Sequence, residues 1–199
     1  MKLIKMFGLA AVAAIAAMAF IGAGTASAEL CTANEEPCAA GNVLPNNSEI
    51  KSSLETGTKA ILKGALEIEC SVSTVNGKST QAGNNDPVSG LIEAATWTTC
   101  SPNCTVKAEA LNWTSSIKRT GDKTGTLTVS NPKVKITCLF ISCTFTAVGG
   151  TVTLDVEDTE ATGGKPKVIA VNEPLTSGCG AGSWTATYRV EPPNPLYFS

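Results

Sequence analysis

From about residue 49 onward, apolar and polar residues alternate one by one in short runs, the period-two pattern of β-strands with one buried and one wet face. Leu66, Ile68, Cys70 and Val72 alternate with Glu67, Glu69, Ser71 and Ser73. The same rhythm returns in Cys104, Val106, Ala108 and Ala110, in Val134, Ile136 and Cys138, in Val152, Leu154 and Val156, and in Trp184, Ala186, Tyr188 and Val190. Thr, Val and Ile are abundant in these runs, as suits a pleated, half-buried surface, and helical periodicity is nearly absent.

Residues that turn a chain lie between the runs. Asn76-Gly77 supplies the positive φ of a two-residue hairpin, Asn131-Pro132 and Gly149-Gly150 break the chain, and Thr120-Gly121-Asp122-Lys123 reads as a polar loop. Residues 83–87 and 162–166 read as longer loops. Strands spaced in this way predict an all-β, antiparallel fold of roughly nine or ten strands, closed as a sandwich or as a barrel. Cysteines repeatedly take the inward phase, where they would staple two facing sheets, and this favours the sandwich over the barrel.

The first 28 residues follow another pattern: Lys2 and Lys5, then fifteen uncharged and mostly apolar residues from Phe7 to Ile21, then small residues ending Ala26-Ser27-Ala28. That is the layout of a secretory signal peptide cleaved before Glu29, and the apolar run is short of the roughly 20 residues that a membrane-spanning helix needs. The expected organisation is a signal peptide at 1–28, an irregular N-terminal arm at 29–48, a β domain at 49–191 and an extended C-terminal tail at 192–199. In the tail, Pro192, Pro193 and Pro195 leave no room for sheet pairing. The expected location is secreted or at the cell surface, with no transmembrane anchor after cleavage. Loss of Lys2 and Lys5 takes the 15 Lys and Arg to 13, against 17 Asp and Glu, so the mature chain carries a net charge of −4. No basic stripe is present, which argues against a nucleic-acid partner.

All eight cysteines lie beyond the leader, and an even number in an exported chain reads as a disulfide framework. Of the roughly hundred connectivities that eight cysteines allow, the expected one joins Cys31 with Cys38, Cys70 with Cys100, Cys104 with Cys138, and Cys143 with Cys179. An extended Leu139-Phe140-Ile141-Ser142 would hold Cys138 and Cys143 about 16 Å apart, beyond the reach of a bridge. Cys100 with Cys104, across a turn at Ser101-Pro102-Asn103, is the rival local pairing.

The chain has no histidine, which removes Ser-His-Asp and Cys-His catalysis and imidazole metal ligands together. Neither a catalytic residue, a metal site nor a cofactor is expected. Glu67 and Glu69 share one side of a strand, the placement that a carboxylate-based glycoside hydrolase would use, although a solvated strand face explains them more simply. Asp155, Glu157, Asp158 and Glu160 form an acidic cluster whose spacing matches no calcium loop, and a charged strand edge accounts for it. Of Trp97, Trp113 and Trp184, the last shares the inward phase of its run, whereas Trp113 follows a break in alternation that would turn it outward. Trp113 is therefore the candidate ligand-binding residue, as in a carbohydrate-binding module.

Residues 70–100 (CSVSTVNGKSTQAGNNDPVSGLIEAATWTTC), the strand opening NCTVKAEAL and the ending SWTATYRVEPPNPLYFS resemble a large paralogous family of exported, β-rich actinobacterial proteins of unknown function. The similarity spans the whole mature chain, and its most specific element is Trp184, Ala186, Tyr188 and Val190 followed by Pro193, Pro195, Leu196 and Tyr197. The resemblance implies an exported β domain that keeps cysteines matching 70, 100, 143 and 179, with the Cys31 to Cys38 arm an optional addition. It brings no activity and no site residue. The expected role is non-enzymatic, by binding or as structure at the envelope or in the medium, with a carbohydrate-binding module and a carboxylate-based hydrolase as alternatives.

Overall fold

The computed structural model describes residues 30–158, 163–191, 193 and 195–198, so the leader read in residues 1–28 lies outside the described residues. The strands are β1 (Leu30–Cys31), β2 (Glu49–Leu54), β3 (Ala60–Lys63), β4 (Glu67–Ser79), β5 (Val88–Ser101), β6 (Cys104–Glu109) and β7 (Trp113–Gly121). They continue as β8 (Thr124–Ser130), β9 (Lys133–Cys138), β10 (Ile141–Ala147), β11 (Thr151–Glu157), β12 (Lys167–Ser177), β13 (Gly180–Val190) and β14 (Tyr197–Phe198). Every pairing among them is antiparallel. Among the described residues the only helical element is the 3-10 turn Val148–Gly150, and no helix is long and apolar enough to cross a membrane.

Twelve of these strands make one closed wall. Strands β2 and β3 both pair with β4 on one side and β13 on the other, at successive heights, so together they form one interrupted strand. The same holds for β6 with β7, β8 with β9, and β10 with β11. Counted this way, the wall is an eight-stranded up-and-down barrel in chain order, closed where β13 meets β2 and β3. Of the two closures open to the sequence, the barrel is the one formed. Sandwich and barrel share the same inward alternation; what separates them is the long strands β4, β5, β12 and β13, which pair on both sides along their length and leave no edge.

The alternation holds along β9, β11 and the upper part of β13. It fails in β4, where Val72 is exposed and Ser73 is buried, the reverse of the expected phase. The slip faces Thr99 of β5, whose φ of 53° breaks the neighbouring strand at the same height. Asn76-Gly77 is not a hairpin turn either. It lies inside β4 at a bulge opposite Ile92 and Ala94, where a Cβ on residue 77 would run into the Leu91 carbonyl oxygen. Leu139-Phe140, read as extended, is instead a tight hairpin turn that sets Ile141 opposite Cys138. Strand β11 is no edge: it pairs with β8 and β12, with Asp155 and Glu157 facing solvent and Asp158 buried, while Glu160 lies outside the described residues.

The two ends of the barrel differ. At the upper end, which holds the 80–87 connection and the start of β2, arm and tail come together. Leu30 and Cys31 of β1 pair with Phe198 and Tyr197 of β14, so Tyr197-Phe198 pairs in a sheet beyond the prolines that exclude pairing. Leu30, Leu44, Leu196 and Phe198 are buried against Val88, Val156 and Val190. Backbone bonds from Leu30 to the Gly83 carbonyl (3.0 Å) and from Leu196 to the Gly164 carbonyl (2.7 Å) tie the two segments down. The Phe198 amide donates to Asp158 Oδ2 at 3.2 Å. The arm and tail therefore form a plug across one mouth of the barrel.

Three of the four disulfides gather at the lower end. Cys70 faces Cys100 across β4 and β5, and Cys104 faces Cys138 across β6 and β9, with Cα separations of 4.0 and 4.4 Å. Cys143 on β10 joins Cys179 in the turn between β12 and β13, and Cys31 joins Cys38 in the arm. Cys70 and Cys138 are buried inside the barrel with Ile68, Ile136, Phe145 and Leu175.

One ion pair reinforces the wall where it is interrupted. Glu55, just past β2, accepts from Arg189 Nε at 2.7 Å and Nη2 at 2.6 Å, with Lys167 Nζ at 3.7 Å. The Arg189 hydrogen bonds outweigh burial and hold the Glu55 carboxyl below its ordinary range. Since the folded pKa is the lower one, this stabilisation is present above the unfolded pKa and is lost as pH falls through the folded value. Glu55→Gln is expected to cost about 1 kcal/mol at neutral pH, discounted for partial solvent screening, and progressively less as pH falls below the ordinary carboxylate range. Urea denaturation of both proteins at neutral and at successively lower pH checks this.

Candidate functional site

The barrel is irregular at its waist. The paired strands break at residues 55–59, 110–112, 131–132 and 148–150, and β4 and β12 carry register shifts at Asn76/Gly77 and Ala170/Glu173. Each extra residue bends its strand and raises the local twist. Ala110 and Asn112 take φ of 49° and 67°, the turn that sets the direction of Trp113.

Behind this waist the side chains do not fill the interior. A cavity of about 130 Å³ lies between Val75, Ile92, Ala95, Val129, Val134 and Val152, with Trp97, Trp113, Trp184 and Phe145 also on its wall. A second space of about 90 Å³ lies toward the plug and shares Ser52, Val75, Ile92, Leu127 and Val168 with the first, so the two follow one another along the bore. The first is close in size to an engineered cavity of about 150 Å³ in another protein that stays dry and takes benzene or xenon.

Most of the few polar atoms on the wall are already engaged. Ser52 Oγ donates to the Val75 carbonyl at 3.1 Å, and Trp113 Nε1 donates to the Glu109 carbonyl at 3.0 Å. Ser73 Oγ donates to the Thr96 carbonyl at 2.8 Å, which leaves the Tyr188 hydroxyl, 2.7 Å from that same Oγ, as the donor to it. Trp97 also bonds to the Tyr188 oxygen. Burial, only partly offset by these bonds, pushes the Tyr188 phenol up to about 12, so it stays neutral. No carboxylate or amine lines the cavity, and all eight cysteines are bridged. A guest would meet an uncharged surface whose hydrogen bonds are largely closed, which selects for apolar molecules.

The residues singled out in the sequence fall elsewhere or face another way. Trp113 is buried at 7% exposure and points inward: the break before it directs the side chain into the bore, not to solvent. Trp184 and Trp97 are half-buried on the same cavity wall, and Trp184 packs against Tyr188 with ring centroids 6.1 Å apart. No tryptophan forms an outer stacking platform. Glu67 and Glu69 stay on the outer face of β4, each in an ion pair, with Lys63 and Lys59 respectively. Among the described residues no group of three or more His, Cys, Asp or Glu is placed to hold a metal ion. Ser73, read as outward, is the buried hydrogen-bond partner of the wall residue Tyr188, and Phe145 lies on the wall itself; sequence reasoning missed both. A signal for the first was present: Trp97 and Cys100, both apolar, stand three apart on β5, which already breaks period two.

No family model, curated protein or solved structure matches this chain.

Proposed function

We propose that this is an exported, non-enzymatic binding protein whose barrel takes a small, uncharged apolar ligand in its bore. The observation that carries the reading is the cavity of about 130 Å³, walled by aliphatic and aromatic side chains most of whose polar atoms are bonded within the wall. Four disulfides, together with the leader pattern of residues 1–28, support export. Membership of the exported actinobacterial family that the sequence resembles is part of the same proposal.

Toluene is a suitable probe because its size matches the cavity. Titration followed by amide chemical shifts should saturate and should perturb residues of β4, β5, β7 and β8 around the waist. Val75 borders both spaces, so Val75→Phe should weaken binding at least tenfold while the far-ultraviolet spectrum stays unchanged. An unperturbed spectrum in saturating toluene, or shifts confined to the outer surface, would refute the reading. A soluble glycan that shifts the waist residues in place of toluene would restore the carbohydrate-binding alternative.

A further inference from the structure

The lower end of the barrel carries a feature that the fold does not need. In the turn between β9 and β10, Leu139 is 89% exposed and Phe140 101%, and Ile141, which opens β10, is 54% exposed. Three consecutive large apolar side chains therefore stand in water, which folded chains avoid unless the surface has a use. The turn gains nothing from them. Leu139 has φ of 49°, a conformation that Gly or Asn adopts with less strain, and neither side chain packs on the core.

The tip is also held out rigidly. Cys138, directly before it, is bridged to Cys104, and Cys143, two residues after Ile141, is bridged to Cys179. The β9 and β10 ladder runs in register from Ile141 opposite Cys138 to Thr146 opposite Lys133. With both arms stapled, the tip cannot fold back to bury its side chains.

Charge on the same side gives the second observation. Lys107 and Lys135 face each other directly across β6 and β9, both on the outer face of the barrel, and neither has an ion-pair partner among the described residues. Glu67 and Glu69 are each paired with a lysine, and Glu109, which accepts from Thr144 on the same face, stands opposite a third lysine, Lys133, so the patch keeps an excess of positive charge. Leu66, in the turn across the barrel mouth, adds another half-exposed apolar side chain at 46%. Lys135 lies four residues before Leu139, so its Cα sits about 13 Å back along the strand, less when measured along the barrel axis because the strands tilt. That is the height of lipid headgroups when the tip reaches the acyl boundary, the depth at which amphipathic surface binders sit. A protein interface would need roughly 800 Å² on each partner, more than a convex three-residue tip offers. A bilayer accepts such a protrusion.

We infer that the lower end of the barrel docks on an anionic lipid bilayer. Leu139, Phe140 and Ile141 enter the boundary between headgroups and acyl chains, and Lys107 and Lys135 face the acidic headgroups. The inference stands apart from the cavity, since none of these five residues lines it.

The test is co-sedimentation of the mature protein with vesicles of phosphatidylglycerol and phosphatidylcholine, set against pure phosphatidylcholine. Binding is expected to be at least tenfold tighter to the anionic vesicles and to weaken as salt is raised. The double variant Leu139→Gly with Phe140→Asn puts glycine at the tip position of positive φ, as a two-residue hairpin with one such residue prefers, so it should fold at least as well as the parent, and it should bind anionic vesicles at least tenfold more weakly. Phe140→Trp should show a blue-shifted emission only with those vesicles. Lys107→Glu with Lys135→Glu should abolish the preference for anionic lipid. Absence of vesicle binding by the parent, or equal binding by the double tip variant, overturns the inference. So does a concentration-dependent dimer that the double tip variant abolishes, because the tip would then be a contact between copies of this chain.

Discussion

Replacing Cys70 and Cys100 together by alanine is expected to lower stability by roughly 3.5 to 4 kcal/mol, and reduction of all three lower-end bridges to unfold the barrel at 37 °C. The bridges Cys70–Cys100, Cys104–Cys138 and Cys143–Cys179 close loops with sequence separations of 30, 34 and 36. In the loop-entropy account each constrains the unfolded chain by roughly 3.5 to 4 kcal/mol, and their sum rivals the 5 to 15 kcal/mol that holds a typical domain together. The folded state adds to this, because Cys70 is only 3% exposed and its truncation leaves unfilled space beside Ile68 and Tyr188. The arm bridge Cys31–Cys38 spans only 7 residues, so its removal should cost nearer 2 kcal/mol. Urea midpoints for the paired alanine variants, measured under oxidising conditions, decide the matter. A Cys70→Ala/Cys100→Ala protein within about 1 kcal/mol of the parent would show that the unfolded chain is already constrained by other means.

The strand class of this protein is legible because it depends on local alternation. Val152, Leu154 and Val156 face inward and Thr151, Thr153 and Asp155 outward, as period two requires. Closure is not local. Nothing in β13 distinguishes a strand that pairs with β2 and β3 from one at a sandwich edge, and the pairing joins residues more than a hundred positions apart, such as Tyr188 and Leu54. The breaks show the same limit. Asn131-Pro132 and Gly149-Gly150 are correctly places where alternation stops, yet they interrupt strands that then continue in line, whereas the hairpin at Leu139-Phe140 carries no turn residue at all. The cavity was hidden for a related reason. It exists because irregularities on several strands, distant in sequence, fall at one height around the barrel, and Trp113 lines it only because two residues of positive φ precede it.

Phe198→Ala is expected to cost about 3 to 5 kcal/mol. Phe198 is 4% exposed and packs with Leu30, Leu44 and Leu196 at the core of the plug. Its ring lies against β8 near Gly125, and its amide donates to the buried Asp158 carboxylate. Alanine keeps the backbone bond and the β1–β14 pairing while removing the ring, so the variant reports packing and not loss of the tail. Because the ring also borders the space of about 90 Å³ at this end of the bore, its removal should lengthen the hollow toward the plug. Phe198→Ala should therefore bind apolar probes larger than toluene, such as naphthalene, more tightly than the parent does, although its thermal midpoint is lower. Loss of stability with no change in probe size preference would mean that the plug collapses into the space that the ring leaves. A thermal midpoint within a degree or two of the parent would mean that arm and tail do not seal the upper mouth in solution.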